Sequence, residues 1–233
     1  MSVARPQIQI PKERGSFVTL EGGEGVGKST QVRHLLRNLK EAGIAAIGTR
    51  EPGGSPGAEI LREVLLSGGV ARLGPAAEAI LFAAARIDHI DKTIEPALSA
   101  GTLVVCDRFA DSTRAYQGAR GQLDPRFLRA LERVTLGDLR PDLTLILDLP
   151  AAEGLARAAA RRGANETPDR FEHEDLRFHE SLRAAFLAIA VAEPARTAVI
   201  DAARSEADVA QAIFEAVLNR IIAPVRAKQA RRG

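Results

Sequence analysis

The chain has 233 residues and a formal net charge of +2, with 45% hydrophobic and 27% charged residues. This composition excludes wholesale disorder, and the length is typical of one soluble globular domain. Because the net charge is so small, the sequence pI near 9.0 gives little support for nucleic acid as a partner and fits small anionic substrates better.

The cysteine content and the hydropathy indicate the cellular setting. The single cysteine, Cys106, excludes an intrachain disulfide framework and indicates a reducing compartment. No run approaches the roughly twenty apolar residues needed to cross a bilayer, so no membrane contact is expected. Residues 1–15 are predicted to be a loose N-terminal extension without the apolar centre of a secretion signal. We therefore predict a cytoplasmic protein with one domain over residues 16–222.

The first regular elements form a β-α-β unit. Residues 17–21 are an apolar run typical of a buried strand, and residues 44–49 are a second short apolar run. Between them, apolar side chains recur at helical spacing before a C-cap glycine, Gly43: Val32, Leu35, Leu36 and Leu39. Two strands joined by a crossover helix are parallel, which predicts an α/β fold.

The loop that joins this strand to this helix carries a phosphate-binding pattern. Gly22, Gly27, Lys28 and Ser29 satisfy G-x-x-x-x-G-K-[ST], between a strand and a helix as the pattern requires. Glycines let the backbone N–H groups turn toward an anion, and the helix presents its positive end. The predicted ATP-binding residues are Gly22, Gly23, Glu24, Gly25, Val26, Gly27, Lys28, Ser29 and Thr30.

The rest of the chain alternates helices and strands. We predict helices over residues 58–67, 75–100, 109–119 and 125–136, then two more that include residues 178–189 and 209–221, and strands over residues 103–107, 143–149 and 197–201. The long helix 75–100 has five apolar residues in register for a buried face: Ile80, Leu81, Ala84, Ile87 and Ile90. The tail, residues 223–233, is basic and polar.

Ionisable residues follow several strands at the edge where a parallel sheet binds ligands. Asp107 closes a central strand and, with Ser29, is the predicted Mg²⁺ site, although an N-cap role for Asp107 stays open. Arg50 ends the second strand and Arg108 follows Asp107. A planar guanidinium group can donate two parallel hydrogen bonds to the oxygens of a phosphate. The two arginines therefore predict a second, phosphorylated substrate.

A basic, interrupted segment, residues 151–171, follows the fourth strand and is interpreted as a mobile lid. Arg157 and Arg161 lie four residues apart and share a helix face, with Arg162 beside it. One or two of these arginines are predicted to swing over the transferring phosphoryl group. The candidate catalytic residues are therefore Lys28, Arg108, Arg157, Arg161 and Arg162.

Three motifs together resemble a known family. They are the glycine-rich loop 21–31 (EGGEGVGKSTQ), the loop 49–54 (TREPGG) and the segment 107–118, in which DRF is followed by ST and AYQG. In residues and spacing they are similar to the bacterial thymidylate kinase (dTMP kinase) family, over about residues 16–222. The resemblance implies the nucleoside monophosphate kinase variant of the P-loop α/β fold, a five-stranded parallel sheet with helices on both faces.

The resemblance also implies an activity, a cofactor and a set of site residues. Members use ATP with Mg²⁺ to phosphorylate dTMP to dTDP for DNA synthesis, and the family resemblance implies a homodimer. The implied dTMP contacts are Glu24 at the 3′-hydroxyl, Arg50 and Arg108 at the phosphate, Phe82 stacked on thymine, Arg86, Thr113 and Gln117 at the base edge, and Tyr116 against the deoxyribose.

Some family members carry an arginine inside the glycine-rich loop, whereas others have glycine there and supply arginines from the lid. Gly25, together with the three lid arginines, resembles the second kind. Phe109 stands where tyrosine or histidine is frequent, and the lid carries an unusual segment at residues 165–168 (NETP).

Three alternatives remain open at the level of sequence. One is a kinase for another nucleoside monophosphate on the same fold. A P-loop switch NTPase is another, although the chain lacks both Asn-Lys-x-Asp and Asp-x-x-Gly. Binding of nucleic acid through the basic tail is the least favoured.

Overall fold

The computed structural model describes residues 14–120, 123–161, 171 and 174–230, apart from the side chains of residues 71, 117–120 and 228–230. Most of the predicted N-terminal extension, lid residues 162–170 and the end of the basic tail therefore lie outside the described residues.

Within the described residues, five strands form one parallel sheet. The strands are β1 (Phe17–Glu21), β2 (Ala46–Arg50), β3 (Leu103–Asp107), β4 (Leu143–Asp148) and β5 (Thr197–Asp201). Their order across the sheet is β2-β3-β1-β4-β5, with every neighbouring pair parallel. The chain crosses from one side of β1 to the other after β3, so β1 and its following loop lie at a switch point. The predicted five-stranded parallel α/β fold is confirmed.

Helices cover both faces of this sheet. The described helices are α1 (Lys28–Glu41), α2 (Pro56–Leu66), α3 (Pro75–His89), α4 (Glu95–Ser99), α5 (Ala110–Arg120), α6 (Pro125–Leu136), α7 (Ala151–Arg161), α8 (Leu176–Ala192), α9 (Glu206–Val217) and α10 (Ala223–Ala230). Among the described residues, no helix is both long enough and apolar enough to span a bilayer.

Alternation along each strand divides the core between the two faces. Val18 and Leu20 of β1 pack with buried residues of α1 and α9 on one face. Phe17, which precedes Val18 and points to the opposite face, packs with Leu98 of α4 and Phe109 there. The three central strands, β1, β3 and β4, are buried along almost their whole length, which explains why they read as continuous apolar runs.

The predicted long helix 75–100 differs from the structure in two ways. A π-helical turn, Ile90–Ile94, stands between α3 and α4 in an otherwise unbroken run of helical turns, and Pro96 follows directly after it in the first turn of α4. The predicted buried face is also wrong in part, because Ile80 is 49% and Ile87 40% exposed.

The face of α3 that is buried carries polar as well as small residues. Glu78, Arg86 and His89 are buried there. Since α3 packs against α2 and lines the candidate site, its polar side turns inward and its apolar stripe is left at the surface of the single chain.

All five strands end in an ionisable residue at their carboxyl ends. These residues are Glu21, Arg50, Asp107, Asp148 and Asp201. Because the strands are parallel, these ends lie along one edge of the sheet, where open α/β sheets bind ligands.

Candidate active site

The glycine-rich loop after β1 is held in a tight curve by residues with positive φ. Gly22, Gly25 and Gly27 have φ of 138°, 67° and 90°, a region that residues with a Cβ rarely adopt. Lys28 turns back over the loop, and its Nζ donates to Gly22 O at 3.1 Å and Gly23 O at 2.7 Å. Burial, followed by the nearby Arg108 charge, lowers the pKa of Lys28 to about 8. The loop thus holds a desolvated cation where an anion would bind.

Close backbone packing explains the glycine at position 25. A Cβ on Gly25 would lie 1.8 Å from Gly154 O in the first turn of α7, and a Cβ on Gly154 would lie 2.4 Å from Glu24 O. Both approaches are shorter than any real Cβ contact, so the loop and α7 fit together only when both residues are glycine. The helical half of the predicted lid therefore rests directly on the phosphate-binding loop.

Ser29 and Asp107 meet beside this loop. The Ser29 hydroxyl donates to Asp107 Oδ2 at 2.5 Å. A hydroxyl and a carboxylate are oxygen ligands of the kind that Mg²⁺ takes in P-loop enzymes, where phosphates and waters complete the shell. In the part of the chain that the structure describes, no group of three or more His, Cys, Asp or Glu side chains could hold a metal. The pair fits a phosphate-borne Mg²⁺ rather than an all-protein metal cage.

Glu24 joins two of the predicted dTMP contacts. Its Oε1 accepts hydrogen bonds from Arg108 Nη2 at 2.8 Å and from the Tyr116 hydroxyl. Arg108 also lies over the Tyr116 ring, with its guanidinium carbon 5.3 Å from the ring centroid. Burial by itself would raise the pKa of Glu24, but the charges of Arg108 and Lys28 outweigh it and lower the pKa to about 2. Glu24 is therefore a carboxylate at any physiological pH.

Arg86 is held in a second, more buried cluster. Its Nε donates to Glu51 Oε2 at 2.6 Å, both Nη atoms lie 3.2 Å from Thr113 Oγ1, and Nη2 donates to Phe109 O at 3.1 Å. The guanidinium carbon lies 5.2 Å from the centroid of the Phe109 ring. Glu51 also contacts His89, whose Nδ1 is 3.0 Å from Glu51 Oε1.

The remaining partner of His89 ties this cluster to the end of β2. His89 Nε2 lies 2.7 Å from Thr49 Oγ1. Arg50, the next residue, extends outward, and its Nη2 donates to both carboxylate oxygens of Glu59 at 3.1 Å. Glu59 also accepts the Gly54 N–H at 2.8 Å, which fixes the loop between β2 and α2.

One cavity of about 540 Å³ adjoins these clusters. This volume is within the range of small-molecule sites. The lining includes the predicted site residues Glu24, Gly25, Gly27, Lys28, Ser29, Arg50, Phe82, Arg86, Asp107, Arg108, Thr113, Tyr116 and Arg161. Most of the predicted site residues are thus brought together around one cavity, whereas Gly22, Gly23 and Val26 line a second, smaller one.

The other predicted residues lie elsewhere or are outside the description. Arg157 is on α7, and its Nη1 donates to Ala202 O at 2.8 Å in the turn after β5. Arg162 and the side chain of Gln117 are outside the described residues. Phe171, at the end of the predicted lid, lines the cavity and packs edge-on against Tyr116, with centroids 5.0 Å apart.

Sequence reasoning missed several residues that surround the predicted ones. Glu21, Glu51 and Ser112 lie within the three motifs, but the sequence assigns them no role, and His89 is not among the predicted site residues. A carboxylate that ends an apolar run, as Glu21 does, is itself a signal of a specific partner. Each of these residues has at least one side-chain partner more than thirty positions away in sequence.

Comparison with known proteins agrees with this geometry. The family model described as thymidylate kinase matches residues 20–213. A thymidylate kinase of Bradyrhizobium diazoefficiens is 56% identical over 215 residues, covering 92% of this chain and 94% of the relative. A thymidylate kinase of Nitrobacter winogradskyi is 54% identical over 233 residues and covers both chains completely. The chain therefore belongs to the thymidylate kinase family, as its three motifs predicted.

Proposed function

We propose that this chain transfers the γ-phosphoryl group of ATP to dTMP, giving ADP and dTDP. Family membership supports the reaction, and the cavity is the observation that supports the role proposed for each residue. A single space joins a phosphate-binding loop, a Ser–Asp pair suited to Mg²⁺ and a buried arginine beside threonine and phenylalanine. A donor phosphate, a metal and an acceptor base thus have separate places within one site.

Thymine is assigned to the end of the cavity near Phe82, Arg86 and Thr113. Of the five N–H groups of Arg86, the described contacts to Glu51, Thr113 and Phe109 engage four. The fifth, on Nη1, remains for a carbonyl on the base edge. Gln117 is proposed to complete this recognition, as the family pattern implies. A site built to hydrogen-bond a polar edge strongly rejects bases that lack it.

The deoxyribose and the acceptor phosphate are assigned to the Glu24–Arg108–Tyr116 cluster and to Arg50. Glu24 is an acceptor for the 3′-hydroxyl, and Arg108 and Arg50 are donors to the phosphate. Because the acceptor oxygen is already anionic, no strong general base is required. Catalysis then consists of positioning and of neutralising the charge on the transferred group.

The donor phosphates are assigned to residues 22–30, with Lys28 reaching the β- and γ-phosphates. Ser29 and Asp107 would hold Mg²⁺, which, when bound with ATP, would neutralise part of the negative charge of the phosphates. Among the lid arginines, Arg161 is the one we propose to face the transferred group, because it lines the cavity. Arg157 instead ties α7 to the turn after β5. The proposed compartment is the cytoplasm, where both nucleotides are available.

The substrate assignment is tested by measuring kcat/KM with ATP and each of dTMP, dUMP, dCMP and dGMP. We expect dTMP to be preferred, with dCMP and dGMP disfavoured on the order of 10³-fold or more because they mismatch a hydrogen-bonding site. A clear preference for any other monophosphate would support the alternative, a kinase of another nucleotide on this fold. Slow ATP hydrolysis unaffected by dTMP would favour a switch NTPase instead.

Replacing Tyr116 with alanine is expected to relax sugar selectivity. The ring packs against Phe171 and beside Arg108, so its removal opens space where a 2′-hydroxyl would otherwise clash. The ratio of kcat/KM for dTMP over ribothymidine monophosphate should fall by about 10-fold. Tyr116→Phe is the matched control, since it keeps the ring and removes only the hydroxyl that donates to Glu24. An unchanged ratio in Tyr116→Ala would refute the gatekeeping role.

A homodimer is also proposed, and the exposed stripe of α3 supports it. Ile80 and Ile87 lie on this stripe with Ala84 between them, and Val134 of the adjoining α6 is 74% exposed. Contiguous apolar surface of this kind marks protein–protein interfaces. A self-complementary patch on one face suits a two-fold dimer.

Light scattering coupled to size exclusion tests the dimer. The wild-type protein is expected at twice the chain mass of 24.9 kDa, and Ile80→Glu with Ile87→Glu at the mass of one chain. The control is Val191→Glu, because Val191 is 82% exposed on α8 and should leave the dimer intact. A double variant that remains dimeric would show that the interface lies elsewhere.

A further inference from the structure

The backbone of Arg108 is in an unusual conformation. Its φ of 67° makes it the one non-glycine residue with positive φ among those that the structure describes. Such a conformation is unfavourable for a residue with a Cβ and persists only where surrounding contacts over-determine it, most often at functional sites. The contacts that hold Arg108 therefore identify residues on which its position depends.

Those contacts converge on the last two residues of β1. The Arg108 N–H donates to Leu20 O at 2.9 Å. Beyond Arg108, the N–H groups of Phe109 and Ser112 donate to Glu21 Oε1 at 2.8 Å and 3.2 Å, and the Ser112 hydroxyl donates to Glu21 Oε2 at 2.6 Å. The carboxylate of Glu21 thus accepts the first orphan N–H groups of α5 and fixes the chain just after the strained residue.

The same carboxylate also reaches the Arg108 side chain through Ser112. Arg108 Nη1 lies 3.2 Å from Ser112 Oγ and donates to Gly22 O at 2.9 Å. Ser112 accepts from Arg108 while donating to Glu21, so the three side chains form one directed chain. Backbone and guanidinium of Arg108 are therefore both positioned from Glu21.

Glu21 acts at a distance from the substrate. Its side chain is fully buried, both of its oxygens accept hydrogen bonds, and it does not line the cavity. A direct role as metal ligand or proton acceptor would require an oxygen that faces the reacting atoms. Burial and, next, the Asp111 carboxylate raise the pKa of Glu21 to about 7, whereas Ser112, Arg108 and the Phe109 N–H favour the ionised form.

We propose that Glu21 is a positioning residue for binding of the acceptor phosphate. It holds the backbone of Arg108 in its left-handed conformation and directs the guanidinium across the glycine-rich loop. This inference rests on the proposed phosphate contact of Arg108. Glu21, the last residue of β1, thereby has a function although it does not itself take part in phosphate binding by the loop.

Calorimetric binding of dTMP and of thymidine separates this role from general stabilisation, because thymidine lacks the phosphate that Arg108 contacts. Glu21→Gln keeps the side-chain shape but replaces one acceptor oxygen with a donor. It should weaken dTMP binding about 10-fold and leave thymidine binding within about 2-fold. Ser112→Ala, which removes the link to the Arg108 side chain, should act in the same direction and serves if Glu21→Gln does not fold.

A control at the opposite end of the same strand is Asp142→Asn. Asp142 Oδ2 accepts the N–H of Phe17, the first residue of β1, at 2.7 Å, away from the loop and from Arg108. This variant should lower the melting temperature without changing the ratio of dTMP to thymidine affinity. An equal loss of both affinities in Glu21→Gln would overturn the proposal.

A double-mutant cycle with Arg108→Ala completes the test. Arg108→Ala alone should weaken dTMP but not thymidine, and adding Glu21→Gln should then produce no further loss. A second, additive loss would show that Glu21 does not act through Arg108. Failure of the proposed function is recognised separately, because wild-type protein would then bind or turn over dTMP no better than other monophosphates.

Discussion

Replacing Lys28 with alanine is expected to lower kcat for phosphoryl transfer on the order of 10³-fold, with the fold retained. Lys28 is the buried cation of the glycine-rich loop, and its Nζ donates to two carbonyl oxygens of that loop. When ATP binds, we expect the ammonium to exchange these carbonyls for phosphate oxygens and to stabilise the negative charge that develops during transfer. Single-turnover phosphorylation of dTMP measures the loss directly.

Two comparisons make this test specific. Lys28→Met keeps most of the side-chain volume and should lose activity to a similar extent, which excludes a packing defect as the cause. Lys40→Ala, an exposed lysine in the last turn of the same helix, should change kcat by less than about 2-fold. If Lys28→Ala retained activity within a few fold of wild type, the assignment of the donor phosphates to this loop would be refuted.

Replacing Glu51 with alanine is expected to lower the free energy of unfolding by about 3–5 kcal/mol. The Glu51 side chain is buried and is the counter-charge of Arg86, which is itself buried; it also contacts His89. Removing it leaves a guanidinium charge in a desolvated place without its carboxylate. Urea denaturation, followed by circular dichroism, measures the change.

The companion variant is Glu51→Leu combined with Arg86→Met. An apolar pair of similar volume removes the uncompensated charge, so stability should recover to within about 1–2 kcal/mol of wild type. Binding of dTMP should nevertheless stay weak, because the base-edge donor of Arg86 is lost. A loss below about 1 kcal/mol in Glu51→Ala would contradict the view that this pair is a buried, mutually dependent unit.

The sheet and the loop were predictable because their signals are local. Apolar runs that end in a charge mark the strands, and the spacing from Gly22 to Ser29 is a property of adjacent residues. The motif set also predicted most of the cavity lining, since Arg50, Asp107 and Arg108 follow strands whose ends must meet once the sheet is parallel.

What the sequence did not reveal depends on contacts between distant residues. Periodicity assigns Ile80 and Ile87 to one face of α3. It cannot show that this face is exposed to solvent while the side chain of Arg86 is buried. The partners of Glu21 and Glu51 lie on other elements, so neither residue could be given a role from its neighbours in sequence. The left-handed conformation of Arg108 could likewise not be predicted from the sequence, because arginine, unlike glycine, rarely adopts a positive φ.

The most direct test of the assigned site is a crystal structure of the protein with dTMP. We predict thymine beside Phe82, with its edge toward Arg86 and Thr113, the 3′-hydroxyl at Glu24 and the phosphate between Arg50 and Arg108. A phosphate bound at Arg86, or dTMP bound outside the cavity of about 540 Å³, would contradict the assignment of acceptor and donor ends.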